Sequence, residues 1–250
     1  AYRISNQRPC LHPPAHRSPN GYCEAAKAIF RLKGINFAAV AQYAREPNLE
    51  LVAWTGHRNA PIAVWQDERP RAGWTEILML AERLSPEPAL VPVDRAERAL
   101  MFGLSNEILG EDGYVWNQRL LLFSHQEHAN APSDFWSRTL RQSYGASEES
   151  IAAATGKASA VLRCLADRLH AQKTKGSRYF VGTKLTALDI YWAAMSMGIA
   201  QLRPEISLPP IGLRKAWLSL SNTLDDQLDP ILVEHRDHIF ENFIVTPLDY

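Results

Sequence analysis

Prolines divide this chain before any other feature does. Three fall within ten residues, in Ser85-Pro-Glu-Pro-Ala-Leu-Val-Pro-Val-Asp. A proline lacks an amide donor and fixes its own φ, so neither a helix nor a central strand runs through such a stretch. It reads as a linker that ends in Asp94, a side chain suited to capping a following helix. On its N-terminal side the pattern is mixed. Residues 2–6 can form a strand, and prolines at 9, 13, 14 and 19 keep the next segment out of a helix. Ala26, Ile29, Phe30 and Lys33 then recur at helical spacing, and Gly34 stops that helix. Residues 35–43 predict a second strand, 47–53 a helical turn, and 61–65 a third strand. Residues 74–84 predict a second helix, with Ile77, Leu78, Ala81 and Leu84 on one face. Beyond the linker every segment reads as helix: roughly 95–111, 114–124, 133–143, 147–172, 187–202, 213–221 and 229–244.

The division implies a small α/β domain over 1–85, a linker over 86–94 and an all-helical domain over 95–250. The 250 residues suffice for two modest domains or one large one with a real core, and 46% hydrophobic with 22% charged residues is the balance of a folded chain. Lys plus Arg and Asp plus Glu both number 27. Without surplus positive charge, neither nucleic acid nor an anionic membrane surface is an expected partner. No apolar run approaches the roughly 20 residues that span a bilayer. The residues Ala-Tyr-Arg-Ile-Ser lack the apolar stretch of a secretory signal, so a cytoplasmic location is expected. Cys10, Cys23 and Cys164 are odd in number and widely spaced, which fits neither a fully paired disulfide framework nor a zinc site.

A more specific signal lies in Tyr179-Phe-Val-Gly-Thr-Lys-Leu-Thr-Ala-Leu-Asp-Ile-Tyr-Trp-Ala-Ala, where Thr186 would cap a helix and Asp189 would reach back to its start. That segment, and the order of strand, proline-rich turn, helix and strand leading to Ala60-Pro61, resembles the glutathione transferases over roughly residues 2–200. The resemblance implies a thioredoxin-like α/β domain followed by an all-α domain, with glutathione as co-substrate or cofactor. It implies a cis bond before Pro61, with the backbone of Ala60 and Pro61 beside an extended tripeptide. The first helix would aim its N-terminus at the sulfur, where amide donors and the helix dipole lower the thiol pKa and make the nucleophilic thiolate. A homodimer, a small electrophilic substrate of apolar or aromatic character, and a detoxification role follow from the same resemblance.

In this register the catalytic position falls near Asn20, flanked by Ser18, Tyr22 and Cys23. An Asn amide can donate to a thiolate but cannot act as a base. Asn20 equally suits a plain helix cap, and Ser18 could bring a hydroxyl forward. Tyr22 is a lesser candidate to touch glutathione. Cys23 could form a mixed disulfide, although its spacing to Ala26 and Phe30 fits a small core residue better. Where the resemblance expects an acidic residue and a serine for the γ-glutamyl end, the sequence offers Gly73-Trp74-Thr75-Glu76. Trp74, Thr75 and Glu76 are the candidates there. Arg71 could read a carboxylate bidentately, or could belong to the solvated turn Asp67-Glu68-Arg69-Pro70-Arg71.

Gly110 and Gly113 interrupt a long helical run, where a glycine costs about 1 kcal/mol relative to alanine. The break would aim Asn106, Trp116 and Arg119 toward a substrate cleft, unless it is only a kinked core helix. The pairs His125/His128 and His235/His238 read as solvated helix faces, since no third ligand makes a metal site. No metal is expected. The lost family residues also permit a second reading, a non-catalytic binding or protein-interaction module on the same fold.

Overall fold

The computed structural model describes residues 2–4, 20–43, 46–128 and 135–248. Three short strands, β1 (Tyr2–Ile4), β2 (Phe37–Ala39) and β3 (Ala63–Trp65), form a sheet in the order β2-β1-β3. β1 runs antiparallel to β2 and parallel to β3, so Tyr2 faces Ala39 on one side and Ala63 on the other. β2 is shorter than the 35–43 expected, because its described partner strand offers three residues of pairing. After β3 the chain turns back on itself, and the backbone of Arg71 exchanges two 2.9 Å hydrogen bonds with Ala63. This single antiparallel bridge extends the sheet edge.

Helix α1 (Gly21–Leu32) buries Ala26, Ile29 and Phe30, as its spacing predicts, and Ala25 and Ala28 beside them. It ends at Gly34, whose φ of 64° lies in the left-handed region that favours glycine. Helix α2 (Leu49–Thr55) covers a small separate cluster of Leu51, Ile62 and Val64. Helix α3 (Trp74–Leu84) packs beside α1. The linker that follows is held down rather than loose. The buried Lys33 ammonium donates to Ser85 O (2.7 Å) and Pro88 O (2.9 Å) and pairs with Glu82 at 2.8 Å. Leu90 and Val91 are buried, and Leu90 O accepts the Ala187 amide.

Asp94 accepts the Glu97 amide at 2.9 Å and opens α4 (Arg95–Leu109). Helices α5 (Tyr114–His128), α6 (Phe135–Ser143), α7 (Glu148–Thr174), α8 (Ala187–Met195), α9 (Ile211–Leu224) and α10 (Pro230–Phe243) complete the chain. All nine residues of α8 are buried, and it packs against α1, α4 and α10. The expected helix over 187–202 stops earlier, tightening into a 3-10 turn at Ser196–Gly198. There Gly198 passes so close to Trp217 that a Cβ would lie 3.3 Å from its indole.

The segment around Thr186 carries the chemistry expected of it. One Asp189 oxygen accepts the Thr186 amide and hydroxyl, each at 2.8 Å, and the other accepts the Phe180 amide at 3.0 Å. His235 Nε2 also meets that second oxygen at 2.9 Å. His235 is therefore a buried core residue, not part of a solvated face: a fully buried carboxylate needs every available donor. His238 is half-buried in the same region. The side chains of His125 and His128 lie outside the described residues.

Candidate active site

Helix α1 starts under tight constraint. A Cβ on Gly21 would sit 2.7 Å from both Ala194 O and Met195 Sδ, so only glycine lets the first turn of α1 abut the end of α8. Just before it, Asn20 is extended and accepts the Tyr22 amide on Oδ1 at 3.0 Å. An N–H requires an acceptor, so this bond fixes which end of the Asn amide faces the helix. The Nδ2 group is left as a donor, with no partner among the described residues. Ser18 lies outside the described residues.

Tyr22 turns elsewhere. Its hydroxyl donates to Leu109 O, the last carbonyl of α4, at 2.8 Å, so the phenol ties α1 to α4 and is not directed at a tripeptide. Burial raises its pKa well above the ordinary tyrosine value, with Tyr144 adding to the rise and Arg119 opposing it. Tyr22 is thus neutral near neutral pH. Cys23, in the next position, packs against the core.

Between α4 and α5 the chain turns sharply. A Cβ at Gly110 would lie 2.7 Å from Asn106 O, and one at Gly113 2.5 Å from Glu107 O, so both glycines serve close backbone approach. The break brings Trp116 and Arg119, one turn apart on α5, onto Tyr144. The Trp116 and Tyr144 rings are 4.7 Å apart, and the Arg119 guanidinium lies 5.8 Å from the Tyr144 ring centre. Asn106 does not join them. It is an exposed α4 residue whose side chain lies against Gly110. Tyr144 is a member of this group that sequence reasoning missed; it follows an amphipathic helix and carries no local signal.

The Ala60–Pro61 bond is cis. Pro61 is buried, and Ala60 has no backbone hydrogen bond among the described residues. Pro61, Tyr22, Ala26, Trp74, Ile77 and Tyr191 enclose a small apolar recess between α1, α3 and α8. Trp74 packs edge-on against Tyr191 with centroids 5.4 Å apart, and its carbonyl accepts the Tyr191 hydroxyl at 3.4 Å. Trp74 therefore seals the junction with α8, within the stretch Gly73–Glu76 where the family resemblance expects an acidic residue and a serine.

The charged candidates are already matched. Glu76 folds back over the start of α3 and accepts the Ala72 and Gly73 amides, both at 3.3 Å, and it pairs with Arg69 at 2.7 Å. The Arg69 hydrogen bond, joined by those two amides, holds its carboxyl below the ordinary glutamate range. Arg71 pairs with Glu68 at 2.8 Å, and Glu68 also takes Arg83 at 2.6 Å. Arg71 is thus a turn residue, not an open carboxylate receptor. Thr75 is exposed at the start of α3. No group of three or more His, Cys, Asp or Glu among the described residues could hold a metal ion, and no helix there is long and apolar enough to cross a membrane.

A mixed sheet with a cis-prolyl turn, joined to a helical half around one buried central helix, is the fold of the glutathione S-transferases. The likeness to solved structures is broad in extent and low in sequence identity. A glutathione S-transferase from Methylobacterium radiotolerans, in complex with glutathione sulfonate, is 15% identical with a TM-score of 0.59, over 96% of this chain and 91% of that one. One from Xanthobacter autotrophicus is 15% identical with a TM-score of 0.60, over 100% and 98%. A bacterial zeta-class maleyl pyruvate isomerase is 19% identical with a TM-score of 0.53, over 86% and 92%. No protein-family model matches the sequence, and no curated protein sequence matches it either.

Proposed function

We propose that this chain is a glutathione transferase-like enzyme whose reactive end is the start of α1. Glutathione would lie along Ala60 and Pro61, with its sulfur near Asn20. The Asn20 Nδ2 donor and the first amides of α1 would hold the thiolate, which then attacks a small electrophile resting on Trp116 and Tyr144. Sulfur forms the new bond to carbon and the leaving group departs with its electron pair; in an isomerisation, glutathione is instead released unchanged. Arg119 supplies a fixed positive charge for a carboxylate or phenolate on that substrate. The observation that carries this reading is the Asn20 amide: its oxygen is engaged in the cap, and its nitrogen, at the head of the helix, has no partner among the described residues. The solved structure with glutathione sulfonate bound shows that one protein of this fold takes a tripeptide of this chemistry. By family resemblance, the enzyme works as a cytoplasmic homodimer in detoxification, with an α/β domain to residue 85, a linker to 94 and a helical domain beyond.

One observation favours a second reading. Glu76 fills the amides at the start of α3 and Arg71 is paired with Glu68, so the two groups best suited to grip the γ-glutamyl end are already engaged. A non-catalytic binding module of the same fold would tolerate this.

A titration separates the two. The enzyme should be retained on immobilised glutathione and should show thiolate absorbance from bound glutathione at neutral pH. Asn20→Asp keeps the helix cap but replaces the donor with an anion. That variant should raise the pKa of bound glutathione and slow conjugation about tenfold or more, the scale of one lost charge-assisted bond of roughly 1.5–3 kcal/mol. Retention without any thiolate signal would assign the binding module instead.

A further inference from the structure

The turn between α4 and α5 is held from inside by a side chain that the site described above does not use. Asn117, on the first turn of α5, is completely buried, although an asparagine amide is costly to withdraw from water. Its Nδ2 donates to the carbonyl of Asp112 at 2.7 Å and to that of Gly113 at 2.9 Å. Carbonyls accept only from the nitrogen end of the amide, so these bonds fix which end faces the turn. Oδ1 is left buried with no hydrogen-bond partner among the described residues. Burying that acceptor unpaired is unfavourable, and the two bonds to the turn are what the side chain gains in its place.

Those bonds fall where the backbone needs them. Asp112 takes a φ of 62°, in the left-handed region that a residue with a Cβ rarely occupies. No backbone amide among the described residues donates to its carbonyl, so Asn117 supplies the donor. On one side of the turn, Leu109 O accepts the Tyr22 hydroxyl, which ties the end of α4 to the second residue of α1. On the other side, Trp116 and Arg119 meet Tyr144. The turn is thus the connection between the head of α1 and the aromatic wall. Outside, Asp112 pairs with Lys157 at 2.8 Å, but both partners are exposed and such a pair holds the turn weakly.

We propose that Asn117 is a positioning residue for the electrophile: by closing the α4–α5 turn it sets how far Trp116 and Arg119 stand from the head of α1. The inference rests on the reading of that head as the thiolate end and of Trp116 and Tyr144 as the wall on which the electrophile lies. Buried beneath the turn, Asn117 meets neither ligand. It acts through its neighbour Trp116, so that the carbon under attack is presented to the sulfur, where a misplacement on the order of 1 Å is enough to slow a reaction severely.

The test uses the full chain, with glutathione and the aromatic electrophile 1-chloro-2,4-dinitrobenzene. Asn117→Leu keeps the approximate size of the side chain and removes the donor. It should lower kcat/KM for the electrophile roughly tenfold or more, while KM for glutathione and the pKa of the bound thiol keep their wild-type values. A residue serving stability alone would lower the denaturation midpoint and leave kcat/KM for the electrophile unchanged. That result would overturn the proposal, as would equal losses for both ligands. A second readout needs no turnover. The ¹⁵N-labelled indole signal of Trp116, identified by its absence in Trp116→Phe, is displaced by the Tyr144 ring 4.7 Å away. In Asn117→Leu it should move toward its position in Tyr144→Leu. An unmoved signal would overturn the proposal whether or not the protein conjugates glutathione. A moved signal in a protein without turnover would count against the enzyme reading and still support Asn117 as the residue that sets the wall. Lys157→Gln, which breaks the exterior pair, should match wild type in both readouts; reproducing the Asn117→Leu effects would assign the turn to that pair instead. If Asn117→Leu fails to fold, Asn117→Asp, which offers at most one donor, carries both readouts.

Discussion

Asn20 and Tyr22 sit on either side of the residue where loop becomes helix, and their side chains leave in different directions. The Asn20 side chain stays at the helix head, while the Tyr22 hydroxyl crosses to a carbonyl 87 residues away. Removing that hydroxyl with Tyr22→Phe leaves Leu109 O without its donor. The variant should lose about 1–3 kcal/mol of stability, read by denaturant unfolding, with the pKa of bound glutathione unchanged. Because burial raises the Tyr22 pKa, the fold favours the neutral phenol. That contribution is intact below the ordinary tyrosine value near 10 and is lost as pH climbs toward the folded value. Tyr22→Phe should therefore show a shallower alkaline decline than wild type. The cap at Asn20 was legible in sequence, because capping is a local pattern two residues long. The destination of Tyr22 was not, since no sequence pattern links it to Leu109. Of the trio Asn106, Trp116 and Arg119 that the glycine break singled out, only Trp116 and Arg119 come together, and Tyr144, on which they meet, had no signal of its own.

Helix termini and the linker show how local rules were redirected at the level of elements. The sequence places Glu76 as a candidate ligand for glutathione, yet as the third residue of α3 it closes on the helix's own start. Glu76→Ala should free those amides and remove a like charge, tightening glutathione binding while slightly lowering stability. The depressed Glu76 pKa stabilises the fold above the ordinary carboxylate range near 4.5, and that benefit is lost as pH falls through the folded value. The stability gap between wild type and Glu76→Ala should accordingly close in acid. Pairing to Arg69 on a surface partly open to solvent keeps the gap at neutral pH to about 1 kcal/mol or less. Lys33 is a larger matter. It appeared in sequence only as one beat of the helical repeat, but its ammonium has three donors and meets three acceptors from α3 and the linker. Lys33→Met leaves the Glu82 carboxylate with the Leu90 amide but no counter-charge, strands two carbonyls, and should cost about 3–5 kcal/mol in chemical denaturation. The Pro-rich linker was read correctly as neither helix nor strand. Its burial was invisible, because proline content reports backbone restriction and says nothing of what lies beneath.

Across the whole molecule, α1 and α3 from the first half and α4, α5, α7, α8 and α10 from the second contribute to one continuous hydrophobic core. How the elements on either side of the linker would pack was not legible, because hydrophobic periodicity marks which face of a helix is buried but not against which partner. Such a core should melt as a unit. Calorimetry should give a single transition with calorimetric and van't Hoff enthalpies in agreement, and two resolved transitions would show the halves to be independent.

The contact of Gly21 with Ala194 and Met195 carries this further, into how such a chain can change over generations. The proline-rich stretch near residue 90 looks like the natural crossover for exchanging halves between related genes. A crossover there would inherit the start of α1 from one parent and the end of α8 from the other, at a place where 2.7 Å leaves no room for an added methyl group. Recombinants should survive only when both parents keep glycine at that turn and the same backbone path opposite it. The two halves would then be passed on together, as a single heritable unit.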